Sequence, residues 1–380
     1  MDATHGHGRP SGTALAGFAL IFTLVASACG GGAATPAAAT ASRAPAATAA
    51  ATAAATPAPA TAAPKPADKI TFITDFTAFG YVAPFYAGIE QGFFKGENID
   101  LAVVFSQGSG DAAAKVAGGA AQFGLVDTIT QVIAIAGGTP IVQVASHWQK
   151  HIGGLCTIQG KTTLKGFKDV EGKKIATTAG NAYIAILPFL MKQAGAKADS
   201  YQLVTMDAAA STTALLAGQV DATPCGYSTF ASRALGVKAQ GATLEFFAFA
   251  NNGLDALGHG VVTTNALVQS NPALVQRFVN AYAKSVVWSA LNVDKAVDAY
   301  MKTQPQQSRE GEKGNYTAPL PFQVDPSAGD GGQFFIPPAK MQKTVELANS
   351  AYDKKVDAKV VFTNDFVNKL PAALRKGQLP

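Results

Sequence analysis

The chain has 380 residues, of which 14% are charged, and its formal net charge is +5. A charge this small, with no run of five or six Lys or Arg, argues against a nucleic-acid partner. Three cysteines supply no disulfide framework, and the length is enough for two domains with buried cores, so a small stapled scaffold is excluded.

In chain order, the first feature is the apolar run 13–28 (TALAGFALIFTLVASA), shorter than the roughly 20 residues that span a bilayer. It matches the apolar region of a signal peptide, expected over 1–28. The run ends in Ala26-Ser27-Ala28-Cys29-Gly30, which resembles a bacterial lipobox, where a peptidase cuts before a cysteine that carries diacylglycerol. The resemblance implies lipidation at Cys29; the alternative is an ordinary secretory signal in which Cys29 is incidental. The rest of 29–67 is rich in Ala, Thr and Pro, with only Arg43 and Lys65 charged. It has no large apolar side chain with which to build a core, and its prolines favour extension, so it reads as a tether.

A folded body starts near residue 68. Strands are expected at 69–74, 101–105, 122–126 and 141–145, with helices at 83–95, 111–117 and 128–136 between them. A second set follows, with strands at 174–178, 201–205 and 219–223 and helices at 181–194, kinked at Pro188, and at 208–217. Continuous apolar strands alternating with helices predict an α/β body with parallel strands covered on both faces. A long helix is expected over 272–291, capped by Asn271 and opened by Pro272. Another follows at 294–301, then a loop-dominated stretch over 304–336 and a helix over 339–352.

Several motifs suggest chemistry. Gly108-Ser109-Gly110-Asp111-Ala112-Ala113 fits a dinucleotide fingerprint, with Asp127 at the end of the next strand. Export argues against such a cofactor, but amides at that helix start still suit an anion or a carbonyl. His147 and His151 have zinc spacing but sit in a loop with no acidic third ligand, so no metal is expected. Gly226-Tyr227-Ser228 lacks the last glycine of a nucleophile elbow, and no catalytic set is found, so the protein is not expected to be an enzyme. Cys156 and Cys225 are expected as two buried free thiols, although an oxidising compartment would let them pair.

The stretches 74–86 (TDFTAFGYVAPFY), 87–94 (AGIEQGFF), 169–176 (DVEGKKIA), 205–210 (TMDAAA), 214–221 (ALLAGQVD), 271–278 (NPALVQRF) and 362–366 (FTNDF) resemble, in order, a family of solute-binding proteins. These serve ABC importers of nitrate, sulfonates, taurine, thiamine-pyrimidine precursors and riboflavin. The resemblance implies an α/β, two-lobed type II periplasmic-binding-protein fold with a cleft between lobes, which closes on its ligand by a hinge. Lobe 1 would comprise 68–168 plus 240–380, and lobe 2 would comprise 169–239. It also implies a monomer held by its lipid anchor at the outer face of the cytoplasmic membrane, with an ABC permease and its ATPase as partners. The aromatic Asp-Trp pair of the vitamin-precursor branch is replaced here by Asp75-Phe76. The cysteine-rich motif of the pyrimidine-synthesising relatives is absent.

Open α/β sheets bind ligands at the carboxyl ends of their strands. That rule selects Phe76, Phe79, Tyr81, Ser109, Asp127, Thr128, Trp148, Asn181, Tyr183, Asp207, Tyr227 and Asn251 as ligand-binding, with Asp111, His147, Cys225, Asn252 and Asp255 beside them. No Arg or Lys occurs in the set. A flat neutral heterocycle, such as a flavin or a pyrimidine vitamin precursor, is therefore the expected ligand. The alternatives are an oxyanion such as a sulfonate, taurine or nitrate, or a surface lipoprotein with no transport role. No cofactor is expected.

Overall fold

The computed structural model describes residues 66–353 and 355–379. The expected leader, Cys29 and nearly all of the tether lie outside them. Among the described residues no helix is long and apolar enough to cross a membrane.

The first part of the body contains β1 (Asp68–Ile73), α1 (Ala83–Glu90), α2 (Phe93–Gly96), β2 (Ile99–Val104), α3 (Ser109–Ala117), β3 (Phe123–Asp127), α4 (Thr128–Ala136) and β4 (Ile141–Ser146). The single helix expected over 83–95 is divided because Gly92, at φ 73°, takes a left-handed conformation that ends one helix and starts the next. The middle part contains β5 (Gly153–Ile158), β6 (Lys174–Thr177), α5 (Ala182–Gln193), β7 (Gln202–Thr205), α6 (Ala208–Ala217), β8 (Thr223–Gly226), α7 (Tyr227–Ala239) and β9 (Leu244–Ala248). The chain ends with β10 (His259–Thr264), α8 (Asn265–Ser270), α9 (Pro272–Leu291), α10 (Val293–Met301), α11 (Arg309–Thr317) and α12 (Pro338–Tyr352), followed by short turns. α11 falls inside the stretch expected as loop.

Three sheets result, ordered β2-β1-β3-β10-β4, β8-β5-β9 and β6-β7. β1 is parallel to β2 and β3, and β6 is parallel to β7, as expected. β10 is antiparallel to β3 and β4, and β5 is antiparallel to β8 and β9. Full burial along β3, β4 and β5 reports cover on both faces, and such a strand carries no mark of its direction. β5 and β9 lie outside 169–239, yet β5 pairs with β8 on one side and with β9 on the other, so the second group of strands spans 153–248.

The first sheet is backed by α9, whose start is fixed as its sequence suggests: Asn271 Oδ1 accepts from Leu274 N at 3.1 Å. Phe278 of this helix is fully buried, and its ring stacks on Phe123 at 3.9 Å, with Phe72 at 5.8 Å and Phe94 at 5.9 Å. The chain passes between sheets at 147–152 and returns at 249–258. The two passages are tied together: His151 N donates to Ala256 O at 3.1 Å and Gly258 N to Trp148 O at 3.0 Å.

Cys156 and Cys225 form a disulfide, which corrects the expectation of two free thiols. The pairing is not legible from the chain alone, because the partners come together only through strand register. In the antiparallel β5–β8 pair, Gly154 faces Cys225 and Cys156 faces Thr223, which sets the two cysteines diagonally with Cα atoms 5.4 Å apart.

Candidate functional site

Where strand ends of the first sheet meet helix starts of the other two, the fold leaves a half-open cavity, with about 410 Å³ of free space that includes its mouth to solvent. Its first wall is Asp75 and Phe76 after β1, Gly108 and Ser109 at the start of α3, and His259 at the start of β10. The opposite wall is Asn181, Ala182 and Tyr183 at the start of α5, Pro224 and Cys225 in β8, and Ser228, Thr229 and Arg233 in α7. The walls touch at one edge, where Gly110 N donates to Gly180 O at 3.4 Å and Thr178 Oγ1 to Gln107 O at 3.1 Å.

His259 reaches the cavity because β10 runs against β3, so its first residue sits opposite Asp127, the last of β3. Its Nε2 lies 3.0 Å from Asp75 Oδ2. Burial disfavours the imidazolium, but the Asp75 carboxylate, helped by Asp127, outweighs it and holds the His259 pKa above the usual value. The remaining polar atoms of the pair, Asp75 Oδ1 and His259 Nδ1, are buried with no hydrogen-bond partner. Across the cavity, burial lowers the Arg233 pKa to about 10, which leaves it a cation at neutral pH. Its Nη1 donates to Pro224 O at 2.8 Å, and its guanidinium lies 6.0 Å from the Phe79 ring.

Of the expected site residues, Phe76, Ser109, Asn181 and Tyr183 line this cavity. Ser109 Oγ also accepts from Asp127 N at 3.0 Å, and Asn181 Oδ1 caps α5 through Tyr183 N at 3.0 Å. Phe79 and Asp207 line a wider adjoining depression of about 1090 Å³ that shares Arg233. The remaining expected residues are placed elsewhere. Tyr81 and Trp148 are core, with ring centroids 5.8 Å apart. Asp127 caps α4, accepting from Thr130 N at 2.9 Å with His151 Nε2 at 3.5 Å; these partners outweigh burial and keep its pKa low. Thr128 Oγ1 donates to Gly258 O at 2.6 Å, and Tyr227 packs between Phe246 and Phe322. Asn251 is exposed in a short turn away from the cavity. His147 is buried against Tyr282, and Asp255 pairs with Lys340 at 3.1 Å.

Arg233 and His259 were missed, and Arg233 removes the premise that the cleft holds no cation. A signal for it existed: Thr229 and Arg233 are four apart, which places both on one face of α7. Among the described residues no group of three or more His, Cys, Asp or Glu side chains could hold a metal.

The NMT1/THI5-like family profile matches residues 80–296, more than half of the sequence. The chain belongs to the NMT1/THI5-like family. Within it, the chain is similar to the 4-amino-5-hydroxymethyl-2-methylpyrimidine phosphate synthase of Candida albicans, 28% identical over 137 residues, which are 36% of this chain and 40% of that protein. The chain therefore spans well under two thirds of the length of that enzyme. Among solved structures, the periplasmic aliphatic sulphonate binding protein SsuA of Escherichia coli superposes with a TM-score of 0.58 at 16% identity, covering 77% of this chain and 91% of that one. The periplasmic nitrate-binding protein NrtA of Synechocystis gives a TM-score of 0.61 at 14% identity, covering 81% and 88%. These likenesses show the α/β periplasmic-binding-protein fold expected of the NMT1/THI5-like sequence.

Proposed function

We propose that this protein is an extracytoplasmic solute-binding lipoprotein, which closes two lobes on a small planar solute and delivers it to the permease of an ATPase-driven ABC importer. The observation that carries this reading is the cavity itself, walled by two separate groups of strands joined through two adjacent chain passages. We place the lobes around the first sheet and around 153–248, with the passages at 147–152 and 249–258 as hinge. A lipid at Cys29 and a tether keep the closed protein near its permease. The disulfide fits an exported location, since such bonds persist in oxidising compartments.

Native mass spectrometry of the full-length protein, before and after mild denaturation, tests the reading. A small molecule released unchanged, with small-angle scattering that shows contraction when it is added back, is the expected result. An empty protein whose melting no vitamin, sulfonate, nitrate or aromatic acid raises would overturn it. The fungal relatives' name suggests a catalytic alternative, which predicts instead that the added molecule returns with a changed mass.

One substitution is expected to act on the cavity wall directly. A Cβ on Gly153 would lie 2.3 Å from ring carbons of Tyr183, so Gly153→Ala must push that ring out of place. Overpacking of this kind costs about 1–3 kcal/mol. The solute retained through purification should fall by about tenfold or more, read in the same mass spectra; unchanged retention would remove Tyr183 from the site.

A further inference from the structure

The cavity has two chemically different ends. Arg233, Asn181, Phe76 and Pro224 also border a side chamber of about 200 Å³, which reaches Ala208, the first residue of α6. At that end, among the described residues, the cation has no acidic partner within ion-pair distance: Arg233 donates to the backbone carbonyl of Pro224. The guanidinium is half-buried with no counter-ion, so a bound oxyanion would give it the forked, charge-assisted contact it lacks. The α6 start adds to this, because its cap, Asp207, makes no side-chain hydrogen bond and leaves the first-turn amides of that helix without one. At the far end of the main chamber, Asp75 is already engaged by His259 through one oxygen and so does not neutralise Arg233. Its other oxygen, Oδ1, is a buried acceptor without a donor in hydrogen-bonding geometry, with the Tyr81 hydroxyl near the same carboxylate, and His259 Nδ1 is also unpartnered. Between the ends, the aromatic rings of Phe76 and Tyr183 line the cavity.

We propose that the cavity selects a small planar molecule bearing a carboxylate, sulfonate or phosphate at one end, held by Arg233, and an N–H-donating edge at the other, held by Asp75 Oδ1. This rests on the solute-binding reading above and names the class of solute. It differs from the neutral heterocycle suggested by sequence, because a neutral molecule would leave Arg233 without a partner. It differs equally from a simple oxyanion, which would leave the Asp75–His259 end unfilled.

Isothermal titration of the full-length protein with matched probes tests it. The probes are para-aminobenzoate, its uncharged analogue para-aminobenzamide, and benzoate, which lacks the amine. The acid with the amine is expected to bind about tenfold or more tightly than either analogue, because each analogue loses one charge-assisted hydrogen bond. Arg233→Gln should abolish the preference for acid over amide, Arg233→Lys should keep part of it, and Asp75→Asn should abolish the preference for the amine. Melting followed by circular dichroism identifies any variant that fails to fold, and the wild-type comparison stands without variants. Equal binding of acid and amide by the wild type would overturn the proposal. So would an Arg233→Gln protein of native melting that still prefers the acid. If none of the probes binds while a neutral solute is released from the purified protein, the two-ended site is wrong and the solute-binding reading survives. If nothing binds and nothing is released, the solute-binding reading fails, and this proposal with it.

Discussion

Acidification from pH 6.5 towards pH 3 is expected to weaken the folded state by up to about 1 kcal/mol per pH unit through His147 alone. This imidazole is buried, with Nδ1 2.5 Å from the Tyr282 hydroxyl and its ring centroid 4.4 Å from that of Trp148. Burial first, and the nearby His259 second, push its pKa from 6.5 down to about 3, with Asp75 opposing them. Below pH 6.5 the unfolded chain takes up a proton that the folded chain refuses until about pH 3, so this contribution is present above 6.5 and is lost as the pH falls. Carboxylates held low, such as Asp325 at about 2, are lost in the same direction but deeper in the acid range. His147→Asn, which removes the titrating group together with the ring's packing on Trp148, should lower the urea midpoint throughout but flatten its dependence on pH between 6.5 and 3. An unchanged slope would show that another group carries it. His259 works in the opposite sense. Its pKa is raised, so its contribution is complete below the unfolded value and is lost as the pH rises through the folded one. Asp75→Asn should remove that alkaline decline.

The contrast between these histidines and the helices around them shows which features a sequence can display. α9 was legible because its signals are local: a capping Asn, a proline in the first turn, and apolar residues at helical spacing through Phe278 and Tyr282. The carboxyl-end rule reached two residues that line the cavity, Phe76 and Ser109, for a similar reason, since a parallel strand followed by a helix announces its own end. It could not find His259. β10 enters the sheet against the direction of β3, so its beginning lies where the parallel strands end. Direction is a property of pairing, which is set by distant residues. Arg233 escaped because it lies well inside α7, beyond the helix start to which the rule points. The expected residues that lie away from the cavity have one cause as well. Tyr81 and Trp148 follow strand ends like Phe76, and Tyr227 opens the helix after β8, but residue type does not tell a ring that lines a cavity from one that fills the core behind it. The disulfide belongs with His259, because Cys156 and Cys225 meet only once β5 and β8 are in register.

Removal of that disulfide is expected to cost about 4 kcal/mol, because the bond closes a loop of 69 residues whose ends the unfolded chain would otherwise be free to separate. The loop encloses β6, α5, β7 and α6 and ends in β8, so it takes in much of the proposed second lobe. In a body of this size the melting temperature should fall on the order of 10 °C, measured for the Cys156→Ser/Cys225→Ser protein against wild type. The double variant is the right probe because both sulfurs are buried, which would limit a reductant to molecules that open transiently. A fall of only a degree or two would mean that the unfolded chain keeps β5 and β8 close without the bond. The same variant should also report on the site. Cys225 and Pro224 form part of the cavity wall, Pro224 O accepts from the Arg233 guanidinium, and β8 leads directly into α7. Loosening β8 therefore loosens the position of the one cation in that wall, so the preference for an acidic probe should weaken along with stability. If stability falls while that preference is unchanged, α7 is held by its own packing against α11, where Asn315 Nδ2 donates to Ser232 Oγ at 2.7 Å, and the disulfide serves the fold alone.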